Sequence, residues 1–182
     1  VWMRILRRVP EAVLWLLIGD AEARRNLSDA AVRRGVSADR VIFAEALPKP
    51  RHLRRFQLAD LVLDTRIYNG HTTTRDALWA GVPVVTLSGR QFASRVSESL
   101  LHAIGVPELV TRTLDDYEAL AVKLAQDRAL LDDFRRRIAA NRDTHPLFDT
   151  PRFTRNLECA YTRAWDIHCS GQPPASFKVV EP

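Results

Sequence analysis

A chain of 182 residues is long enough for one domain with a real core, and 46% hydrophobic with 27% charged residues is an ordinary folded composition. No apolar run approaches the roughly 20 residues of a membrane helix, and the opening residues around Arg4, Arg7 and Arg8 lack the apolar stretch and cleavage site of a secretory signal. The net charge of +5 is scattered as arginine pairs, with no basic tail, RNA-binding aromatic signature or zinc-finger spacing, which argues against nucleic acid as a partner.

Taken in chain order, residues 1–9 read as an amphipathic helix with Trp2, Ile5, Leu6 and Val9 on one face. Short apolar runs at 13–18, 41–43, 61–63 and 84–87 read as buried parallel strands, with 108–110 as a fifth. Between them lie helical patterns at 21–34 (closed by Gly35), 50–58 (proline at its start), 72–80 (stopped by Gly81) and 92–104 (ending before Gly105). This alternation predicts an α/β fold, a doubly wound parallel sheet with right-handed crossovers. From residue 114 the pattern is helical without strands, over 114–126, 128–141 and 150–168, the last opened by Asp149 as cap and Pro151. The expected division is a nucleotide-sugar-binding α/β part over 1–111, C-terminal helices over 112–169 and a flexible, proline-rich tail over 170–182. Trp15 and Trp79 are expected in the core and Trp165 on a helix face. Cys159 and Cys169, with no CxxC spacing, read as free thiols of a reducing compartment, a disulfide between them being the alternative. A unit of this kind normally has a strand and loop before its first crossover helix. The expectation is therefore that the chain starts inside a domain, with the first strand missing.

The richest stretch is Asn69-Gly70-His71-Thr72-Thr73-Thr74, between the strand Leu61-Val62-Leu63-Asp64 and the helix Arg75-Asp76-Ala77-Leu78-Trp79-Ala80. A strand, a glycine-containing turn and a hydroxyl-rich helix start make a place to hold an anion, because the first amides of a helix are free and carry partial positive charge. Thr72 or Thr73 is expected to cap the helix and to offer a hydroxyl to phosphate. His71 is placed to donate to a diphosphate, and Asp76, one turn in, to accept from a ribose hydroxyl. On turn chemistry alone the same motif also describes a well-capped helix. Asp64 is expected to anchor the turn through backbone hydrogen bonds rather than to act as acid or base. His102 and His145 read as structural, and the pairs Asp115-Asp116 and Asp132-Asp133 as surface charge, so no acidic or histidine group has convincing metal-ligand spacing.

The ordered run Gln57-Leu58-Ala59-Asp60 to Thr65, then Asn69 to Thr73, then Asp76-Ala77-Leu78-Trp79-Ala80-Gly81-Val82-Pro83, resembles the C-terminal catalytic lobe of the O-GlcNAc transferases. The likeness continues through Ala93-Ser94-Arg95-Val96 and Pro146-Leu147-Phe148-Asp149 and spans nearly the whole chain. It implies the second, Rossmann-like lobe of a GT-B glycosyltransferase, an inverting enzyme that moves N-acetylglucosamine from UDP-GlcNAc to protein Ser and Thr hydroxyls. It further implies a UDP grip in which Leu47 offers backbone groups to uracil, Lys49 reaches ribose or phosphate and His52 lies against the base. Arg55 would bind the base or its surroundings, while His71, Thr72, Thr73 and Asp76 would take diphosphate and ribose. Without the resemblance, Pro48 and Pro50 are ordinary helix-start residues and an exposed histidine is simply exposed. No metal and no cofactor are expected. The first lobe, the opening strand and a phosphate-contacting lysine in the loop after it would lie upstream, so no residue here is assigned as general base and this chain alone is expected to be inactive. Expected partners are the UDP-sugar donor, a protein or peptide acceptor and the upstream lobe of the same enzyme, with no nucleic acid and no membrane. The expected location is cytoplasmic. Arg66, Tyr68 and Thr74 stand where animal members carry smaller or apolar residues, and Pro50 and Arg51 replace an acidic pair, which touches donor and acceptor preference. Two rival readings stay open at this point: a UDP-GlcNAc 2-epimerase-like enzyme of the same fold, and a non-enzymatic nucleotide-binding or interaction module.

Overall fold

The computed structural model describes residues 1–180. Helix α1 (Trp2–Arg8) leads through a short connection into strand β1 (Leu14–Leu17), and helix α2 (Ala21–Val32), capped by the Asp20 carboxylate at the Ala23 amide, leads on to β2 (Val41–Ala44). Helix α3 (Lys49–Phe56), β3 (Val62–Leu63), α4 (Thr72–Trp79), β4 (Val84–Leu87), α5 (Val96–Ala103) and β5 (Val110–Thr111) continue the alternation. Helices α6 (Leu114–Gln126), α7 (Arg128–Asn141) and α8 (Thr150–Cys169) complete it. The caps follow sequence: Thr113 accepts from the Asp116 amide, Asp127 from Leu130 and Asp149 from Arg152.

Every strand pairing is parallel, as the expected fold class requires. The strands form two sheets: β1 beside β2, with Leu14 opposite Val41, and the trio β3-β4-β5, with Val62 opposite Val84 and Thr86 opposite Val110. Two apolar cores match them. The larger surrounds β4, whose Val84 and Val85 are fully buried with Leu78, Leu101, Leu109 and Ile138. The smaller holds Leu6, Leu14, Ala31, Val36 and Val41. Helix α1 serves both, Ile5 in one core and Leu6 in the other.

Several expectations are corrected. The strand expected at 108–110 is a 3-10 turn, Pro107–Leu109, and only Val110–Thr111 pairs with β4. The helix expected over 92–104 is broken: Phe92–Ser94 is a separate 3-10 turn, and Arg95, at φ −122°, ends it before α5. Trp79 is 44% exposed rather than core; on α4 the buried residues are Thr74, Asp76, Ala77 and Leu78, and Trp79 sits on the rim with its ring edge-on to Phe148 at 5.0 Å. Trp15 is half-buried, under the Arg55 guanidinium at 5.3 Å. Gly81 has φ +80°, the left-handed stop expected for α4. Cys159 and Cys169 are both free thiols. Of the expected tail, residues 172–180 carry neither helix nor strand, and 181 and 182 lie outside the described residues.

Candidate functional site

The carboxyl ends of β2 and β3 deliver two loops, each running into a helix, which is where open parallel sheets bind ligands. The turn after β3 is built around one buried carboxylate. Asp64 Oδ1 accepts from the amides of Thr65 at 2.9 Å and Gly70 at 2.7 Å, and Oδ2 accepts from the Thr86 hydroxyl at 2.6 Å. Its carbonyl accepts from the buried Tyr117 hydroxyl at 2.9 Å. With these bonds made, Asp64 is committed to holding the turn, as expected. Gly70 is obligatory by contact: a Cβ there would stand 2.6 Å from the Thr74 hydroxyl oxygen.

The other face of the turn is tied to the loop before α5. The Asn69 amide donates to the Ala93 carbonyl at 2.8 Å, and Ser97 Oγ donates to the Gly70 carbonyl at 3.0 Å while lying 2.9 Å from Thr74 Oγ1. The expected capping is corrected here. His71, not Thr72 or Thr73, is the N-cap of α4, without a side-chain cap bond, and Thr72 is the first helical residue. Thr72 and Thr73 are exposed, and the first amides of α4 have no partner within the helix. The His71 ring is stacked under Tyr68 (4.9 Å, 9° between planes) and meets Phe92 edge-on at 6.0 Å. Two buried polar atoms in this turn have no hydrogen-bond partner, His71 Nε2 and Asn69 Oδ1. Orphans of that kind are rare in a folded protein, and here they fall together at a helix N-terminus.

The loop after β2 supplies the second wall. Pro48 precedes α3 as its N-cap, and Leu47 is 38% exposed. Lys49, first on α3, forms an ion pair with Asp76 of α4, joining the two helices across the site; the Asp76 side chain is only 7% exposed. His52 Nδ1 lies 3.1 Å from Arg55 Nη2, and Arg55 Nη1 donates to the Glu45 carbonyl at 2.7 Å. A guanidinium has no lone pair to offer, so Nδ1 is the acceptor and the neutral ring carries its proton on Nε2. Burial, then the Arg55 charge, lower the His52 pKa from its ordinary value. The neutral imidazole lies edge-on to Phe56 at 4.8 Å.

Lys49 and Asp76 thus join α3 to α4, His52 and Arg55 pair within α3, and His71 stands at the N-terminus of α4, with Leu47 in the loop before α3 and Thr72 and Thr73 opening α4. Ser97, which braces the turn through the Gly70 carbonyl and Thr74, was not singled out by sequence. Among the described residues no three His, Cys, Asp or Glu side chains come together as a metal site.

Comparison with known proteins places the chain in a family. The model of glycosyl transferase family 41 matches residues 1–157. The chain belongs to that family. A probable UDP-N-acetylglucosamine–peptide N-acetylglucosaminyltransferase, SEC, of Arabidopsis thaliana is 44% identical over 181 residues, 99% of this chain and 18% of that protein. The UDP-N-acetylglucosamine–peptide N-acetylglucosaminyltransferase of Caenorhabditis elegans is 39% identical over 173 residues, 95% of this chain and 15% of its own. This family 41 chain therefore spans less than a fifth of the length of these curated relatives. Among solved structures, a mutant of the Thermobaculum terrenum O-GlcNAc transferase superposes with a TM-score of 0.89 at 36% identity, over 93% of this chain and 33% of that one. The fold is the α/β lobe of a GT-B glycosyltransferase. No described helix of this family 41 member is long and apolar enough to cross a membrane.

Proposed function

We propose that this chain is the UDP-binding part of an inverting glycosyltransferase that carries N-acetylglucosamine from UDP-GlcNAc to protein Ser and Thr hydroxyls. The observation that carries the reading is the unpartnered His71 Nε2 beside the free amides of α4, across from Lys49 and His52. Uracil lies against His52 and Arg55 with Leu47 at its edge, the ribose between Lys49 and Asp76, and the diphosphate at His71, Thr72 and Thr73. The acceptor oxygen forms its bond to C1 of the sugar on the face opposite the departing diphosphate, and the C1–oxygen electron pair leaves with UDP. Negative charge grows on the diphosphate as this bond breaks, so donors fixed at that point favour the transition state over the bound substrate. That donor set is suited to a reaction without a metal. The acceptor proton goes to a base outside this chain, since Asp64 is committed to the turn and Asp76 to Lys49. The relatives named as peptide N-acetylglucosaminyltransferases support the donor and acceptor. Action in the cytoplasm is part of the proposal, supported by the two free cysteines.

Calorimetric titration of the whole protein tests it. UDP is expected to bind and ADP to bind at least about tenfold more weakly, with His71→Ala and His52→Ala each weakening UDP by about tenfold or more. His71→Ala is also expected to lower kcat by about 100-fold. Equal affinity for UDP and ADP would remove the base-recognition role of His52 and Arg55.

A further inference from the structure

Two aromatic side chains with no place in either core converge on His71. Tyr68 lies flat on the imidazole, with ring centres 4.9 Å apart and 9° between the planes, and Phe92 meets it edge-on at 6.0 Å. Tyr68 is 65% and Phe92 73% exposed. Single apolar residues on a surface need no explanation, but two that close on one histidine do. The histidine has nothing else to orient it through Nε2, which is buried and makes no hydrogen bond among the described residues.

The backbone that carries both rings is braced. The Thr65 hydroxyl donates to the Tyr68 carbonyl, and Asn69 Nδ2 donates to the Thr65 carbonyl at 2.9 Å. The Asn69 amide donates to the Ala93 carbonyl at 2.8 Å, which ties the loop of Tyr68 to the turn of Phe92. That turn is held in its own right by the Gly89 amide, which donates to the Ser94 carbonyl at 2.9 Å. A Cβ at Gly89 would stand 2.4 Å from Ser94 Oγ, so the close approach requires glycine. Two loops fastened to each other thus deliver one ring to the face of the imidazole and one edge-on to it.

We propose that Tyr68 is a positioning residue for the diphosphate, acting through His71. Its ring, with Phe92, fixes the plane of the imidazole and keeps water from Nε2, so that this nitrogen meets an anion already oriented and desolvated. The role rests on His71 serving as a diphosphate donor. A hydrogen bond from a ring nitrogen lies in the plane of the ring. A partner stacked parallel to that plane fixes it without standing in the direction of the bond. A donor shielded from water attracts anionic charge more strongly than a solvated one. Orientation set by folding is also not lost again on binding. The unpartnered Nε2 fits this account: folding leaves it without a partner, and an anion supplies one. The flat ring of Tyr68 does this and its hydroxyl does not, which separates Tyr68→Phe from Tyr68→Ala.

Titration of the whole protein with UDP and with uridine tests the role. Uridine carries base and ribose but no phosphate, so it makes no use of His71. Tyr68→Ala is expected to weaken UDP about five- to tenfold, the contribution of one aromatic pair, and to leave uridine within about twofold. Tyr68→Phe keeps the stack and is expected to bind UDP within about twofold of the wild type. In the His71→Ala background, Tyr68→Ala is expected to cause no further loss of UDP affinity, because no ring is left to position. An equal loss with and without His71 would make Tyr68 a direct ligand contact and overturn the proposal. Uridine weakened as much as UDP would mark general damage to the site and overturn it too. Tighter UDP binding by Tyr68→Ala would make the ring a cover that the ligand displaces, which is the opposite role. UDP affinity that falls in His71→Ala but not in Tyr68→Ala keeps the nucleotide reading and removes the positioning role. A wild type that binds no UDP removes both.

Discussion

Asp64 concentrates more of the local structure than any other side chain near the site. It accepts three hydrogen bonds with its carboxylate and one, from Tyr117, with its carbonyl. Asp64→Ala strands the Thr65 and Gly70 amides and the Thr86 hydroxyl, and should destabilise the protein by about 2–4 kcal/mol. Asp64→Asn keeps one carbonyl acceptor and should cost less, so urea unfolding of the two variants ranks them; a loss under about 0.5 kcal/mol for the alanine would contradict the anchoring role. His52 offers a residue-scale test through pH. Its folded pKa lies below the ordinary 6.5, first from burial and then from the Arg55 charge. The fold therefore favours the neutral ring. That contribution is complete above pH 6.5 and is lost as pH falls through the lowered folded value. Proton NMR should find His52 titrating below 6.5, and Arg55→Ala should move the midpoint up towards it. An unshifted or raised midpoint would break the assignment of Nδ1 as acceptor from Arg55.

At the scale of elements, the site is the meeting of two helix starts, α3 and α4, held by Lys49 and Asp76. If ribose hydroxyls take the Asp76 carboxylate, the whole protein should prefer UDP over its 2′,3′-dideoxy analogue by about tenfold, and Asp76→Ala should erase that preference. Lys49→Ala, which removes the other neighbour of the ribose, should weaken UDP as well, by about tenfold. Retention of the preference in Asp76→Ala would place the ribose elsewhere. The sequence carried the helix and strand periods, the Gly81 stop and the glycine turn, because each depends on near neighbours. The N-cap was read one or two residues late: three consecutive threonines look like the cap, yet His71 takes the position because Gly70 is drawn onto Asp64 and Thr74 is buried against Ser97. Ser97 and Ala93 are more than twenty residues from the turn they brace, and no local period announces such a contact. At 107–111, Pro107 and the buried Leu109 favour a tight turn, leaving only two residues for the edge of the sheet. Trp79 looked like core because its neighbours Ala77 and Leu78 are, but one further residue rotates about 100° around the helix and reaches the rim.

At the scale of the whole molecule, two cores share one helix, and the question is whether they open together. Leu6 lies in the core of β1 and β2, Ile5 in the core of β3, β4 and β5, and Arg4 and Arg8 pair with Glu118 to fasten α1 on α6. Fastened to both cores through α1, the two sheets should behave as a single cooperative unit. Leu6→Ala is then expected to lower the opening free energy of amides in both sheets, Leu16 and Phe43 in one and Val85 in the other, by the same amount, about 2–4 kcal/mol. Native-state hydrogen exchange of the whole protein at low denaturant reads both sheets in one experiment. Were Leu16 and Phe43 to weaken while Val85 kept its protection, α1 alone would be joining two independent halves. The candidate site, which draws its walls from the carboxyl ends of both β2 and β3, would then flex with every opening of the smaller sheet. A site that must hold the diphosphate donors in place before the bond breaks needs the first outcome, because preorganised charge stabilisation is lost when the supporting elements move independently.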